Sequence, residues 1–218
     1  MWPSLLVLVR HAESEGNIID GDSRASFNKP TWAYSLTKNG IDQAKKTKEY
    51  LHRIYDTFDV YYTSYYNRSK ETMQVLYPDL KVYEDPRLAE AQRGIYHTMT
   101  REQIAAKYPE ELERKEKEGL YHYRPPGGEN WPDVEMRIHS FLGTLSRDYG
   151  YKKVLVVVHG HWLVLFERLI HRFSIEEAVK RYKSGPAENA SVTSYRSKFN
   201  LDNGQDRLVF DGYMIPWK

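Results

Sequence analysis

Leu5-Leu6-Val7-Leu8-Val9 is a run of five apolar residues that ends abruptly in Arg10-His11. A short, continuous apolar run fits a strand buried on both faces. Lys153 leads into a second one, Val154-Leu155-Val156-Val157-Val158, which ends in His159-Gly160-His161. In open α/β sheets, ligands bind beyond the carboxyl ends of the strands. Two strands that each stop at a histidine therefore mark one candidate site.

Working outward, helical patterns separate the strands. After Thr37, an N-cap residue type, Ile41, Ala44, Leu51, Ile54 and Phe58 recur at helical spacing. From Pro132, an apolar stripe runs through Val134, Ile138, Phe141, Leu142, Leu145 and Tyr149. Ser174 with Glu177 has the spacing of a capping box, and Gly185-Pro186 stops the helix it opens. Shorter strands are expected at Asp59 to Tyr62, Leu80 to Tyr83, Ser191 to Tyr195 and Arg207 to Phe210. Strands alternating with helices imply a doubly wound α/β fold: a mainly parallel sheet with helices on both faces.

Residues 91–131 break that rhythm. They hold charged helical stretches at Thr100 to Lys107 and Pro109 to Glu118, then Arg124-Pro125-Pro126-Gly127-Gly128. This segment reads as a helical insertion over the sheet edge near the active site, a candidate lid. Glu113 to Glu118 alternates charges at helical spacing, as a solvated face does. The 218 residues suit one large domain or two small ones. No linker, repeat or low-complexity tract interrupts them, so a single domain over 1–218 is expected.

Composition excludes several function classes. The chain has no cysteine, which removes disulfides, thiolate chemistry and zinc–thiolate sites. Lysine and arginine total 32 against 30 acids, a balance too even to argue for nucleic acid or an anionic membrane as partner. Met1 to Val9 is too short for a membrane span and lacks the marks of a signal peptide, so a cytoplasmic location is the default expectation.

Arg10-His11-Ala12-Glu13-Ser14-Glu15-Gly16-Asn17 follows the first strand. A neutral imidazole with a free ring nitrogen can attack phosphorus. The neighbouring guanidinium has the planar fork that suits phosphate oxygens. Thr63 to Thr72 follows the next expected strand and places Arg68 at a helix start, where backbone amides also favour anions. Arg87-Leu88-Ala89-Glu90 puts a carboxylate in a loop, and Val158-His159-Gly160 brings a second histidine to the sheet edge with a glycine that permits close backbone approach. Singly, each feature reads as structural.

In order along the chain, Leu8-Val9-Arg10-His11-Ala12-Glu13-Ser14, the Ser64 to Thr72 segment, Glu90 and Val158-His159-Gly160 resemble the histidine phosphatase superfamily, the group of cofactor-dependent phosphoglycerate mutases and many phosphatases. The resemblance covers about residues 5–195. It implies a phosphoglycerate mutase-like fold with His11 as nucleophile. Arg10, Arg68, a protonated His159, Gly160 and Asn17 would serve as phosphate contacts, and Glu90 as general acid. It implies a metal-independent reaction on a small-molecule phosphate ester with no cofactor, because side-chain cations do the electrostatic work.

Two departures separate the chain from the mutases it resembles. Gly16 precedes Asn17 where the mutases carry tryptophan, and no paired arginines lie between Glu90 and Gly128. Both favour a phosphatase over a phosphoglycerate mutase, and the presence of both His11 and Glu90 argues against a non-catalytic, phospholigand-binding member. Tyr121 to Asn130, continued by Asp133-Val134 and Arg137, is similar to phosphatase-like members of fungi and plants. His161 either reaches the substrate or caps the following helix, and the structural role is favoured. Arg93, His97 and Arg124 are candidates for contact with the leaving group and equally surface residues. Tyr96, Tyr121, Tyr123 and Trp131 suggest a partly apolar leaving group.

Overall fold

The computed structural model describes residues 1–19, 29–200 and 204–218. Six strands form one sheet: β1 (Leu5–Arg10), β2 (Val60–Thr63), β3 (Tyr83–Glu84), β4 (Lys153–Val158), β5 (Val192–Asn200) and β6 (Gln205–Met214). Their order is β3-β2-β4-β1-β5-β6. The two apolar runs lie side by side, Leu5 against Lys153 through Arg10 against Val158, so both histidines emerge at one edge. The first four strands in that order are parallel, and β5 and β6 close the sheet antiparallel.

Eight helices appear among the described residues: α1 (Glu15–Ile18), α2 (Lys38–Tyr55), α3 (Asn67–Leu76), α4 (Arg101–Lys107), α5 (Pro109–His122), α6 (Trp131–Asp148), α7 (Gly160–His171) and α8 (Ile175–Lys183). Alternation along the strands divides the core. Leu6, Leu8, Val154, Val156 and Val158 pack with Val134, Ile138 and Phe141 of α6, Trp162 and Phe166 of α7, and Ala178 of α8. Leu5, Val7, Val9, Leu155 and Val157 face the other way, onto Leu51 and Tyr55 of α2 and Met73 and Leu76 of α3. The expected doubly wound architecture is therefore present. None of the described helices is long and apolar enough to cross a membrane.

The stripe expected on α2 is turned by about one residue. Ile41 and Ile54 face solvent at 38% and 51% exposure, while Gln43, Ala44, Thr47 and Leu51 are buried. Hydrogen bonding explains the rotation. Gln43 Oε1 accepts the Glu13 N–H at 3.0 Å, and Thr47 Oγ1 donates to Ala190 O at 2.8 Å. The helix turns its polar edge to the loops that carry the site, where unpaired backbone groups would be costly.

Other boundaries move as well. Leu80 is exposed and only Tyr83–Glu84 forms β3. β5 and β6 run well beyond the expected segments as a half-exposed ribbon whose polar residues, such as Lys198 and Arg207, hide the strand signal. Ser174 caps α8 by accepting the Glu177 N–H at 3.2 Å. Helix α5 continues past Glu118 through a break at Gly119, where φ is 75°. Many of the 18 tyrosines are core rings with satisfied hydroxyls: Tyr62 pairs with Tyr149 at 2.8 Å and Tyr121 donates to Glu135 at 2.7 Å.

Residues 91–131 are clasped at both ends. The Gln92 N–H donates to Glu129 Oε2 at 3.0 Å, the Glu129 N–H returns to Gln92 O at 3.0 Å, and the Ile95 N–H reaches Pro126 O at 3.0 Å. Gly94 sits between these strands of chain at φ 56°, where a Cβ would stand 2.0 Å from Pro126 O; only glycine fits such a left-handed, crowded position.

Candidate active site

Three parallel strands deliver the polar groups. β1 ends in Arg10 and hands the chain to His11. β2 leads through Ser64 into α3, whose second residue is Arg68, and β4 ends at His159, the N-cap of α7. The helices α3 and α7 both begin here, so their unpaired N-terminal amides add positive potential to the same place.

The hydrogen bonds fix the state of His11. Its Nδ1 lies 2.8 Å from Ala12 O, a group that can only accept, so Nδ1 carries the proton. Its Nε2 accepts from Arg68 Nε at 3.1 Å, so Nε2 carries the lone pair. Both neighbours dictate the same tautomer. Arg68 is held by two further bonds, from Nη1 to Thr31 O at 2.8 Å and from Nη2 to His159 Nδ1 at 3.2 Å. His159 in turn donates Nε2–H to Ser64 Oγ at 2.8 Å, with Ser69 Oγ at 3.3 Å. The two imidazoles stand 5.1 Å apart, tilted by 58°.

Burial dominates the electrostatics. It pushes His11 well below the ordinary histidine range, and the guanidiniums of Arg68 and Arg10 push it further. His159 is lowered well below that range by burial, then by Arg68 and His11. Both imidazoles are thereby held toward the neutral form. Two cations and a dry environment oppose a third positive charge on His159. Burial also lowers Arg10 and Arg68, and in each case the nearby Glu90 carboxylate opposes the shift.

Arg10 bonds through Nη1 to Ala187 O and leaves a buried Nε without a partner. Gly160 makes room for it, since a Cβ there would lie 3.2 Å from Arg10 Nε and 2.8 Å from Pro186 Cβ. Glu90 accepts from the Ala91 N–H at 3.0 Å and from the His161 N–H at 3.3 Å. Its loop is tied down by Arg137, which donates to Arg87 O and Ala89 O at 2.8 and 2.7 Å and grips Glu129.

Beside this cluster lies a cavity of about 600 Å³ that reaches Arg10, Glu90 and Gly160. His11 and His159 are buried and do not line it. Residues 91–131 cover it with Tyr96, Ile104, Leu112, Tyr123 and Pro125. Arg93, Trp131 and His161 also line it. The other candidates lie elsewhere: Arg124 pairs with Asp133 at 2.5 Å, His97 Nδ1 is 3.0 Å from Gly94 O, and Tyr121 belongs to the core below. His161 caps nothing, since the N-cap of α7 is His159.

Asn17 is the outlying member of the expected set. Its Oδ1 accepts from the Ser14 N–H and Oγ at 3.0 and 2.9 Å, which folds the turn after β1. It is connected to the cluster by Asn189, which donates to His11 O at 2.9 Å and reaches Asn17 Oδ1 at 3.4 Å. Sequence reasoning passed over Asn189, Ser64, Ser69 and Thr72. Thr72 Oγ1 accepts the Ala12 N–H at 3.0 Å and donates to Arg68 O at 2.7 Å, locking the segments of His11 and Arg68 together. Ser64, Ser69 and Thr72 sit within the segment that drew attention to Arg68, whereas nothing near Asn189 signals its role. Among the described residues, no group of three or more His, Cys, Asp or Glu side chains is arranged to hold a metal ion.

The chain is 30% identical over 185 residues to the 2,3-bisphosphoglycerate-dependent phosphoglycerate mutase 2 of Gloeobacter violaceus, covering 81% of this chain and 80% of the relative. It is 28% identical over 200 residues to the phosphoglycerate mutase-like protein AT74 of Arabidopsis thaliana, spanning 81% of this chain but 60% of that longer protein. The crystal structure of a putative alpha-ribazole-5'-P phosphatase from Escherichia coli superposes with a TM-score of 0.75 at 22% identity, covering 96% of this chain and 97% of the other. The sequence pattern of the histidine phosphatase superfamily (branch 1) matches residues 6–206, and the chain belongs to that superfamily.

Proposed function

We propose that the protein is a phosphatase that hydrolyses small phosphate monoesters through a phosphohistidine on His11. The observation that carries this reading is the tautomer of His11: its Nε2 lone pair faces the Arg68 guanidinium while Nδ1–H is held by Ala12 O.

The steps follow from those positions. The phosphate enters between Arg68 and His11 and takes over the hydrogen bonds of Arg68 Nε and Nη2. Arg10, with its unpartnered Nε, and the amides at the start of α7 from Gly160 complete the grip. A dianion beside His159 favours its protonation, against the effect of burial and Arg68. His11 Nε2 attacks phosphorus, the P–O bond to the alcohol breaks, and Glu90 protonates the leaving oxygen. Nδ1–H of the resulting imidazolium stays on Ala12 O. Glu90, now anionic, takes a proton from water, the water oxygen attacks phosphorus, and the P–N bond breaks to return neutral His11. The fixed cations stabilise the charge spread over the phosphoryl oxygens in both transfers. Residues 91–131 act as a lid within one domain and exclude water from the first transfer. A cytoplasmic location accompanies this reading as the default.

The 30% identity to a mutase favours one second reading, transfer of the phosphoryl group to a substrate hydroxyl rather than to water. The lack of paired arginines between Glu90 and Gly128 argues against a small, doubly charged carboxylate-phosphate as occupant. Phosphate release from p-nitrophenyl phosphate in EDTA, by wild type and by His11→Ala, tests the proposal. Release by wild type alone supports it, and equal release by both defeats it.

A further inference from the structure

Three features of the cavity are left over once the phosphoryl chemistry is assigned. First, His161 Nε2 is a buried side-chain nitrogen with no hydrogen-bond partner, and its residue lines the cavity. Buried polar atoms are almost always paired, so an orphan nitrogen on a residue that lines a hollow marks a group awaiting a partner. Second, the imidazole is fixed between two rings, Trp131 at 4.7 Å and 69° and Tyr182 at 4.7 Å and 42°, and both rings line the same hollow. Third, the backbone N–H of His161 bonds the Glu90 carboxylate at 3.3 Å. This places the imidazole next to the group that protonates the leaving oxygen.

Size adds to chemistry. About 600 Å³ is the scale of a pocket for a drug-sized ligand, far more than a three-carbon alcohol fills. Beyond Trp131 and Tyr182 the apolar part of the wall is Tyr96, Tyr123, Ile104 and Leu120, and Arg93, Lys115 and Lys183 line the polar part. Apolar and aromatic walls of this kind favour a flat apolar body.

We propose that His161, Trp131 and Tyr182 form the leaving-group subsite. It selects phosphate monoesters whose alcohol part carries a flat ring together with a hydroxyl or amino group close to the ester oxygen. The ring packs among the aromatic walls, and the polar group pairs with His161 Nε2. Burial holds the His161 pKa down despite Glu90, so the imidazole meets its partner uncharged. This inference rests on the phosphatase reading, with His161 as a specificity-determining residue.

Equilibrium binding to His11→Ala tests it, because no turnover is needed. The probes are phenyl phosphate, catechol monophosphate, which adds a neighbouring hydroxyl, and glycerol 3-phosphate, which has the hydroxyl but no ring. Catechol monophosphate is expected to bind about tenfold more tightly than phenyl phosphate, the worth of one good hydrogen bond. Adding His161→Phe should bring the two esters to near parity, and His161→Gln, which keeps a polar tip, should retain part of the difference. Glycerol 3-phosphate should bind roughly tenfold or more weakly than either ring ester. Equal binding of the two ring esters, a preference that survives His161→Phe, or tight binding of glycerol 3-phosphate would each overturn the subsite. A wild-type enzyme that hydrolyses none of the three, while His11→Ala shows the expected order, would instead count against the phosphatase reading.

Discussion

Arg68 Nε lies 3.1 Å from His11 Nε2 and donates to it, so the guanidinium proposed to hold phosphate occupies the lone pair of the proposed nucleophile. A guanidinium poised this way does two jobs: it selects the nucleophilic tautomer and suppresses protonation of the ring. In the proposed reaction the same donors pass to the phosphate oxygens.

Arg68→Gln should therefore lower kcat/KM by roughly 10²–10³-fold, the usual cost of removing one fixed donor from a developing anion. Arg68→Lys keeps the charge but loses the fork that bonds His11 and His159 together, and should recover only a fraction of that loss. Steady-state kinetics on one ester checks both. Full activity in Arg68→Lys would mean that charge alone suffices and that the paired geometry is incidental.

Glu90→Gln separates protonation from binding. For an alkyl phosphate, whose leaving oxygen needs a proton, kcat should fall by about 10²–10⁴-fold. For p-nitrophenyl phosphate, a good leaving group, the loss in the first transfer should be far smaller. Rapid-quench measurement of that transfer on the two esters gives the comparison, and equal losses would remove Glu90 from the acid role.

The neutral histidines make a statement about stability. His11 and His159 are held below the unfolded value of about 6.5, so between that value and their own the unfolded chain binds more protons than the folded one. Stability from these groups is therefore full above about pH 6.5 and is lost as pH falls below it. Thermal melts without phosphate should drop in Tm between pH 7.5 and 5.5. A variant carrying His11→Gln and His159→Gln should show a shallower drop over that interval; an identical slope would contradict the assignment.

How far the sequence could be read depended on what each signal measures. The runs Leu5 to Val9 and Val154 to Val158 are buried on both faces, so composition alone reveals them, and their histidine ends follow. The α2 face was misread because its buried positions, Gln43 and Thr47, are chosen for hydrogen bonds to distant loops rather than for hydrophobicity. Ser64 and Asn189 escaped for a related reason. Their importance lies in bonding His159 Nε2 and His11 O, contacts set by tertiary structure that no local spacing records. For His161 the sequence leaves both a substrate contact and a helix cap open. Its position beside Glu90 became visible only when β4 and the loop of residues 87–93 were brought together.

The central claim is that His11 itself carries the phosphoryl group. Rapid mixing of wild type with a ³²P-labelled phosphate monoester, followed by an alkaline quench and peptide mapping, tests it most directly, since phosphoramidates survive base and hydrolyse in acid. The expected result is an acid-labile, base-stable label on the peptide containing His11, formed and lost at rates that match turnover, and absent in His11→Ala. Undiminished hydrolysis by His11→Ala, or a label of matching kinetics on another residue, would contradict it.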